Sequence, residues 1–222
     1  MTLEQELADF RAEWERTAPA GRAELYSAKV EELRASALFD QALRSGQAAP
    51  DFTLPDTQGR PVTLSGLLRG GPVVVTFYRG GWCPYCNIQL RAYQRALPEI
   101  VALGGRLVAI SPQSPDASLG TAEKNALEFD VLNDAGNAVA RSFGLVFALP
   151  EELRDAMRSA GKLLPDFNGD DSWELPVPAT FVIAPDGKVS LAHVEVDYRL
   201  RLEPDAIIAA LRALRAAGTR AA

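Results

Sequence analysis

The sequence predicts an α/β fold: a central mixed β-sheet flanked by helices, preceded by a helical N-terminal extension. Three observations predict it. PVVVTFY (72–78) and RLVAIS (106–111) are nearly continuous apolar, β-branched runs, the composition of strands covered on both faces. The segment between them carries apolar residues at helical spacing, which makes a strand–helix–strand unit with the usual right-handed crossover. Near the end, ATFVI, APDG and KVSLAHVEV read as an antiparallel hairpin with Asp186-Gly187 in its turn.

The elements follow in chain order. Residues 1–45 form the helical extension, because Leu3, Leu7, Phe10 and Trp14 recur at helical spacing, as do Tyr26, Val30, Leu33 and Ala37. Each stripe must be buried, either on the main domain (46–222) or against a second subunit in a homodimer. Phe52–Leu54 and Pro61–Leu64 suggest a small hairpin closed around Thr57-Gln58-Gly59. The helix after the first buried strand presents Cys86, Leu90, Tyr93, Leu97 and Val101 on one stripe. A helix over 117–127, a short strand at Phe129–Leu132 and a helix near 136–143 come next. Residues 144–176 form a partly helical excursion. After the hairpin, Pro204 opens a last helix at its favoured first position, with Ile207, Ile208, Leu211 and Leu214 as its buried stripe.

A chain of 222 residues with 47% hydrophobic and 23% charged residues can build a core without staples. A formal charge of -6 and the absence of a long basic run argue against nucleic acid as a partner. No apolar segment approaches the ~18 residues that span a bilayer, so no membrane association is expected. The acidic opening MTLEQELADF lacks the basic and apolar regions of a signal peptide, which points to the cytoplasm. Thiols are kept reduced there unless a disulfide belongs to the chemistry.

That matters because the only two cysteines lie together, in FYRGGWCPYC (77–86). Three residues are about one helical turn, so the sulfurs of Cys83 and Cys86 can approach bonding distance. If the helix starts at Cys83, its sulfur can accept from the otherwise unpaired amides of Tyr85 and Cys86. Cysteines so placed have pKa values lowered from about 8.5 to roughly 3.5–7.5. Arg79 adds a positive charge four residues upstream. The physics favours an exposed, attacking Cys83 and a sheltered, resolving Cys86. Zinc is the competing reading, but it wants four ligands, and beyond this pair the chain offers one histidine, His193, in a predicted strand. No metal and no cofactor are assigned.

WCPYC resembles the thioredoxin signature in Trp82 and the glutaredoxin signature in Pro84-Tyr85. VPATFVIAPDG (177–187) is similar to the thioredoxin-fold segment whose proline faces the cysteines, and the resemblance implies a cis Val177–Pro178 bond. The flanking sequence resembles the peroxiredoxins, the alkyl hydroperoxide reductase/thiol-specific antioxidant family, over about residues 48–217. APDFTLPDTQGRPVTLSGL is similar to their opening hairpin and VVVTFY to the strand before their peroxidatic cysteine. Their pattern F-Y-P-x-x-x-T-x-x-C, laid on Phe77 without gaps, puts Arg79 at the proline, Cys83 at the threonine and Cys86 at the peroxidatic cysteine. Their arginine before the T-F-x-I strand falls on or near Pro178. The resemblance therefore implies a thioredoxin-like fold carrying a dithiol in place of that threonine–cysteine arrangement.

Three functions compete. The first is an antioxidant, thiol-dependent peroxidase that cycles Cys83 and Cys86 between dithiol and redox-active disulfide. The second is a thioredoxin/glutaredoxin-type disulfide oxidoreductase acting through a mixed disulfide. The third is a non-enzymatic redox-sensing module. The peroxidase is preferred, with a hydroperoxide or disulfide as substrate and a thioredoxin-, glutaredoxin- or glutathione-type electron donor. Arg79, Trp82 and Pro178 are the expected substrate-binding residues, with Trp82, the Pro178 loop and Trp173 forming an apolar mouth; core packing is the alternative role of Trp173.

Overall fold

In the computed structural model, which describes residues 1–221, two helices come first: α1 (Leu3–Thr17) and α2 (Arg22–Ala35). The hairpin β1 (Thr53–Pro55) and β2 (Pro61–Thr63) follows, then α3 (Leu64–Leu68), β3 (Val73–Phe77), α4 (Pro84–Ala102) and β4 (Arg106–Ser111). Next are α5 (Pro115–Lys124), β5 (Asp130–Asn133) and, after a 3-10 turn at Ala135–Asn137, α6 (Ala138–Ser142). The excursion contains β6 (Val146–Ala148), α7 (Glu151–Ser159), α8 (Leu164–Asn168) and β7 (Glu174–Pro176). β8 (Ala179–Ile183), β9 (Val189–Val194) and α9 (Pro204–Ala221) complete the chain.

The central sheet has the strand order β5-β4-β3-β8-β9. β3 runs parallel to β4 and antiparallel to β8, so the sheet is mixed, as the sequence predicts. Its central strand explains the apolar run at 72–78. Val73, Val75 and Phe77 face one layer, packing with Leu64, Leu67 and Phe143; Val74 faces the other, with Leu90, Tyr93, Ile100, Ile207 and Leu211 from α4 and α9. Each such fully buried side chain contributes about 1.5–3 kcal/mol. This is a thioredoxin-like sheet with helices on both faces.

The hairpin turn at Asp186-Gly187 closes as expected, with Gly187 at φ 82° and its amide donating to the Ala184 carbonyl. The α4 stripe departs at its end. Cys86, Leu90, Tyr93 and Leu97 are buried, but Val101 is 58% exposed and Ile100 takes its place. At about 100° per residue, positions 100 and 101 lie about 50° to either side of the centre of that stripe, and the core lies on the Ile100 side. In the N-terminal region, α2 ends at Ala35, and Ala37 takes a left-handed φ of 55°.

α1 is held on the rest of the chain at its start. Thr2 and Gln5 form a capping box, the Glu203 carboxylate accepts from the amides of Leu3 and Glu4, and Leu3 and Leu7 join the core of α4 and α9. Of the two stripes, Leu3, Leu7 and Val30 are buried within the chain, Phe10, Trp14, Tyr26 and Leu33 are partly covered, and Ala37 is exposed. α2 is tied down by Arg22, which donates to the Ala156 carbonyl and the Ser159 hydroxyl.

The Val177–Pro178 peptide is trans, because the described residues contain no cis bond. This corrects the expectation of a cis proline. The chain runs extended through this point: the Val177 amide donates to the Leu145 carbonyl, and the Pro178 carbonyl accepts from the Glu195 amide. With pairing on both sides of the bond, β7 passes directly into β8 and there is no reversal for a cis bond to make. Trp173 belongs to a small core with Leu149, Met157, Leu164 and Leu175, so its role is packing.

Candidate active site

β3 ends at Phe77, and the loop 78–82 delivers the chain to Cys83, the N-cap of α4. Sequence dictates this junction in two ways. Pro84 occupies the first helical turn, where its missing N–H costs nothing. Gly80 has φ 140°, a value that favours glycine, and its carbonyl accepts from the Cys83 amide at 3.1 Å. Both cysteines therefore lie at the carboxyl end of the central strand, where open α/β sheets place their ligand sites.

A buried polar network fixes the loop from below. The Gln113 amide group donates to Tyr78 Oη (3.0 Å) and Thr121 Oγ1 (2.8 Å), while its oxygen accepts from the Gly81 amide (2.8 Å). Asn87 donates to the carbonyls of Gly81 and Cys83, and its own oxygen accepts from Asn125. The loop is thus satisfied by side chains of α4, α5 and the β4–α5 connection.

Both thiols are free and both are buried, Cys83 at 2% exposure and Cys86 at 0%. The expected order of burial holds, but Cys83 is not the exposed group that the sequence suggests. The extension covers it. Phe10 of α1 stands edge-on to Tyr85 at 5.0 Å between ring centroids, Tyr85 meets Tyr198 at 5.6 Å, and Tyr198 meets Tyr26 of α2 at 6.2 Å. Cys83 is reached through a cavity of about 260 Å³ walled by Phe10, Trp14, Tyr26, Trp82, Tyr85 and Tyr198.

The two sulfurs differ in their electrostatics. For Cys83, burial raises the pKa, but the Cys86 thiol, the guanidinium groups of Arg79 and Arg201 and the Cys86 amide outweigh it and bring it down to about 5. The Cys86 amide falls short of capping geometry and contributes least, so the neighbouring thiol and the two guanidinium groups carry most of the lowering that the sequence assigns to a double amide cap. Cys86 is pushed well above the usual thiol range by burial, by its hydrogen bond to Cys83 and by the Cys83 charge. The surroundings thus favour the ionised form of Cys83 and the protonated form of Cys86.

Arg79 is buried between two aromatic rings, with its guanidinium carbon 4.2 Å from the Tyr198 centroid and 4.9 Å from that of Trp82. Arg201 donates from Nη2 to Cys86 Sγ at 3.4 Å and from Nε to Gln89 at 2.7 Å. Gln89 in turn donates to Thr76, which is linked to Thr180 in β8. The structure brings together Cys83, Cys86, Arg79 and Trp82. Pro178 lines a second cavity that shares Arg79, Tyr26 and Tyr198 with the first. Sequence reasoning missed Arg201 and Tyr198, which arrive on the loop after β9. The signal available was DYRLR, an aromatic and two arginines directly after the second strand of the predicted hairpin.

Comparison with known proteins agrees with this geometry. Residues 45–192 match the AhpC/TSA family. Chloroplastic peroxiredoxin Q of Sedum lineare is 34% identical over 137 residues, covering 62% of this chain and 70% of its own. A putative peroxiredoxin of Mycobacterium tuberculosis is 30% identical over 173 residues, covering 78% of this chain and 99% of its own. The crystal structure of peroxidoxin BcpB from Mycobacterium tuberculosis superposes with a TM-score of 0.60 at 29% identity, over 78% of this chain and 98% of that one.

Proposed function

Because the chain belongs to the AhpC/TSA family, we propose that it is a thiol-dependent peroxidase in which Cys83 attacks the hydroperoxide and Cys86 resolves the product. The observation that carries the assignment of roles is the asymmetry of the pair: Cys83 is lowered to about 5 while Cys86 is raised. Nucleophilic attack needs the thiolate, and only Cys83 supplies one at neutral pH.

The steps balance as follows. The Cys83 thiolate attacks the terminal peroxide oxygen; an S–O bond forms, the O–O bond breaks, and the alkoxide takes a proton to leave as an alcohol. Cys83 is then a sulfenic acid. Cys86 attacks its sulfur, giving the Cys83–Cys86 disulfide and water. A dithiol donor returns both thiols and is itself oxidised. Arg79 and Arg201 hold the positive charge that keeps Cys83 ionised before attack. They supply positive charge in a chain that carries Cys83 at the threonine and Pro178 at or near the arginine of the peroxiredoxin pattern. Trp82 walls the cavity, and its apolar character suits organic hydroperoxides.

The electron donor is taken to be of the thioredoxin type, and the setting a reducing cytoplasm that keeps the pair as a dithiol. No helix among the described residues is long and apolar enough to cross a membrane. A disulfide oxidoreductase is the second reading, favoured by the adjacency of the two sulfurs at a helix N-terminus. Steady-state turnover with hydrogen peroxide, cumene hydroperoxide and a mixed disulfide separates them: rapid consumption of either hydroperoxide supports the peroxidase, and turnover of the mixed disulfide alone overturns it.

A further inference from the structure

Arg79 is a buried cation that no hydrogen-bond acceptor meets. It is only 6% exposed, its Nε is buried without a partner, and its guanidinium takes part in no hydrogen bond or ion pair with any described residue. Arg201 also lacks a carboxylate, since its acceptors are Gln89, two backbone carbonyls and the Cys86 sulfur. Arg201 is only partly buried, so Arg79 is the one of the two whose guanidinium is withdrawn from water, and no hydrogen-bond acceptor meets it there. Buried charge of that kind is costly unless an anion is supplied.

This guanidinium faces two cavities. Besides the cavity over Cys83, Arg79 lines the second cavity, of about 250 Å³, which opens between α2 and the β6–α7 segment. Its walls are largely apolar: Val30, Leu33, Leu149, Leu153, Val177 and Pro178. Lys29 and Glu32, at the α2 side, are already paired with each other, and Lys29 also holds Glu152. Arg79 is thus the one charged side chain lining this apolar chamber that has no hydrogen-bonded partner. The rings of Trp82 and Tyr198 cover the guanidinium, so its N–H groups are the polar feature left to recognise a ligand. A planar fork of donors matches a carboxylate in two-point contact.

We propose that this second cavity is a binding site for an apolar monocarboxylic acid, its carboxylate on Arg79 and its hydrocarbon part between α2 and the β6–α7 segment. Such a ligand binds without reacting, and the site stands independently of the peroxidase reading. It is nevertheless coupled to the cysteines. A carboxylate on Arg79 offsets the charge that stabilises the Cys83 thiolate, so occupancy makes Cys83 a weaker nucleophile.

The probes are octanoate and octanol, which differ in charge and share the apolar chain. Calorimetric titration of the reduced protein should show one octanoate site, with octanol at least tenfold weaker. Arg79→Met should abolish the preference for octanoate. Leu153→Trp, which fills the chamber away from the cysteines, should weaken octanoate binding while leaving alkylation of Cys83 by iodoacetamide unchanged in the absence of ligand. In the wild type, saturating octanoate should slow that alkylation several-fold at pH 6. Equal affinity for octanol, octanoate binding that survives both substitutions, absence of binding at millimolar concentration, or alkylation indifferent to saturating octanoate would each overturn the proposal. None of these readouts uses a hydroperoxide, so failure of the site and failure of the peroxidase reading are distinguishable. Should Arg79→Met fail to fold, the octanol comparison and the wild-type alkylation rate decide the matter.

Discussion

Arg201 Nη2 lies 3.4 Å from Cys86 Sγ across 115 residues of sequence. The contact ties the loop after β9 to the start of α4. It places a second guanidinium beside the dithiol, and that charge is one of the groups bringing Cys83 down to about 5.

Replacing Arg201 tests this contribution. An opposite charge within a few ångströms lowers an acid's pKa by about 1–3 units. In Arg201→Met the thiolate fraction of Cys83 at pH 6 should drop about twofold for a one-unit rise in pKa and about tenfold for a two-unit rise, and the rate of iodoacetamide alkylation with it. Arg201→Lys should restore part of the rate. An unchanged alkylation profile in Arg201→Met would show that Arg79 and Cys86 suffice.

The sign of the pH dependence follows from the two sulfurs. Cys83 is depressed below the ~8.5 of an unfolded cysteine, so the unfolded chain binds the extra proton between those values. Its contribution to stability is fully present above about 8.5 and is lost as pH falls through about 5. Alkylation of the wild type should therefore rise through pH 5 and level off by neutrality. Labelling of Cys86 should require strongly alkaline solution. Simultaneous labelling of both sulfurs at pH 7 would contradict the asymmetry.

Gly81 is the tightest point of the cysteine loop. A Cβ on it would collide with Thr121 Oγ1, which is itself held by Gln113 and the Ala117 carbonyl. Gly81→Ala should cost about 1–3 kcal/mol, read as a lower denaturation midpoint. It should also slow Cys83 alkylation by displacing the loop. Gly81→Ala combined with Thr121→Ala should recover much of the lost stability, because the colliding oxygen is gone.

The N-terminal extension walls the site, and Phe10 is its contact with Tyr85. Phe10→Ala should cost about 1–3 kcal/mol, less than a fully buried phenylalanine, because Phe10 is only partly buried. It should raise the labelling rate with a bulky maleimide more than that with iodoacetamide. Equal acceleration of both reagents would mean that Phe10 does not limit entry.

How much could be read from the chain follows the range of the forces involved. β3 and β4 were legible because continuous β-branched apolar runs have few other uses, and the turn at Gly187 because it needs a left-handed φ. Cys83 and Cys86 were legible because their spacing and position at a helix start are local properties. Arg201 was not, since its role depends on β8 and β9 returning the chain beside α4, a non-local event with no spacing to betray it. Burial of Cys83 was hidden for the same reason, because aromatic residues of α1, α2 and the 195–203 loop close over it only after folding. The cis expectation at Pro178 rested on a resemblance in a few residues. The extended pairing of Val177 with Leu145 settled the geometry otherwise.

The central claim is that Cys83 attacks and Cys86 resolves, and single-turnover mass spectrometry with one equivalent of cumene hydroperoxide tests it most directly. Wild-type protein should lose two mass units as the disulfide forms. Cys86→Ser should gain one oxygen, trapped as a sulfenic acid on Cys83. Cys83→Ser should stay unmodified on the same timescale, because the remaining sulfur is buried and protonated. Rapid consumption of hydroperoxide by Cys83→Ser, with sulfenate accumulating on Cys86, would contradict the account and assign attack to the position that aligns with the peroxidatic cysteine.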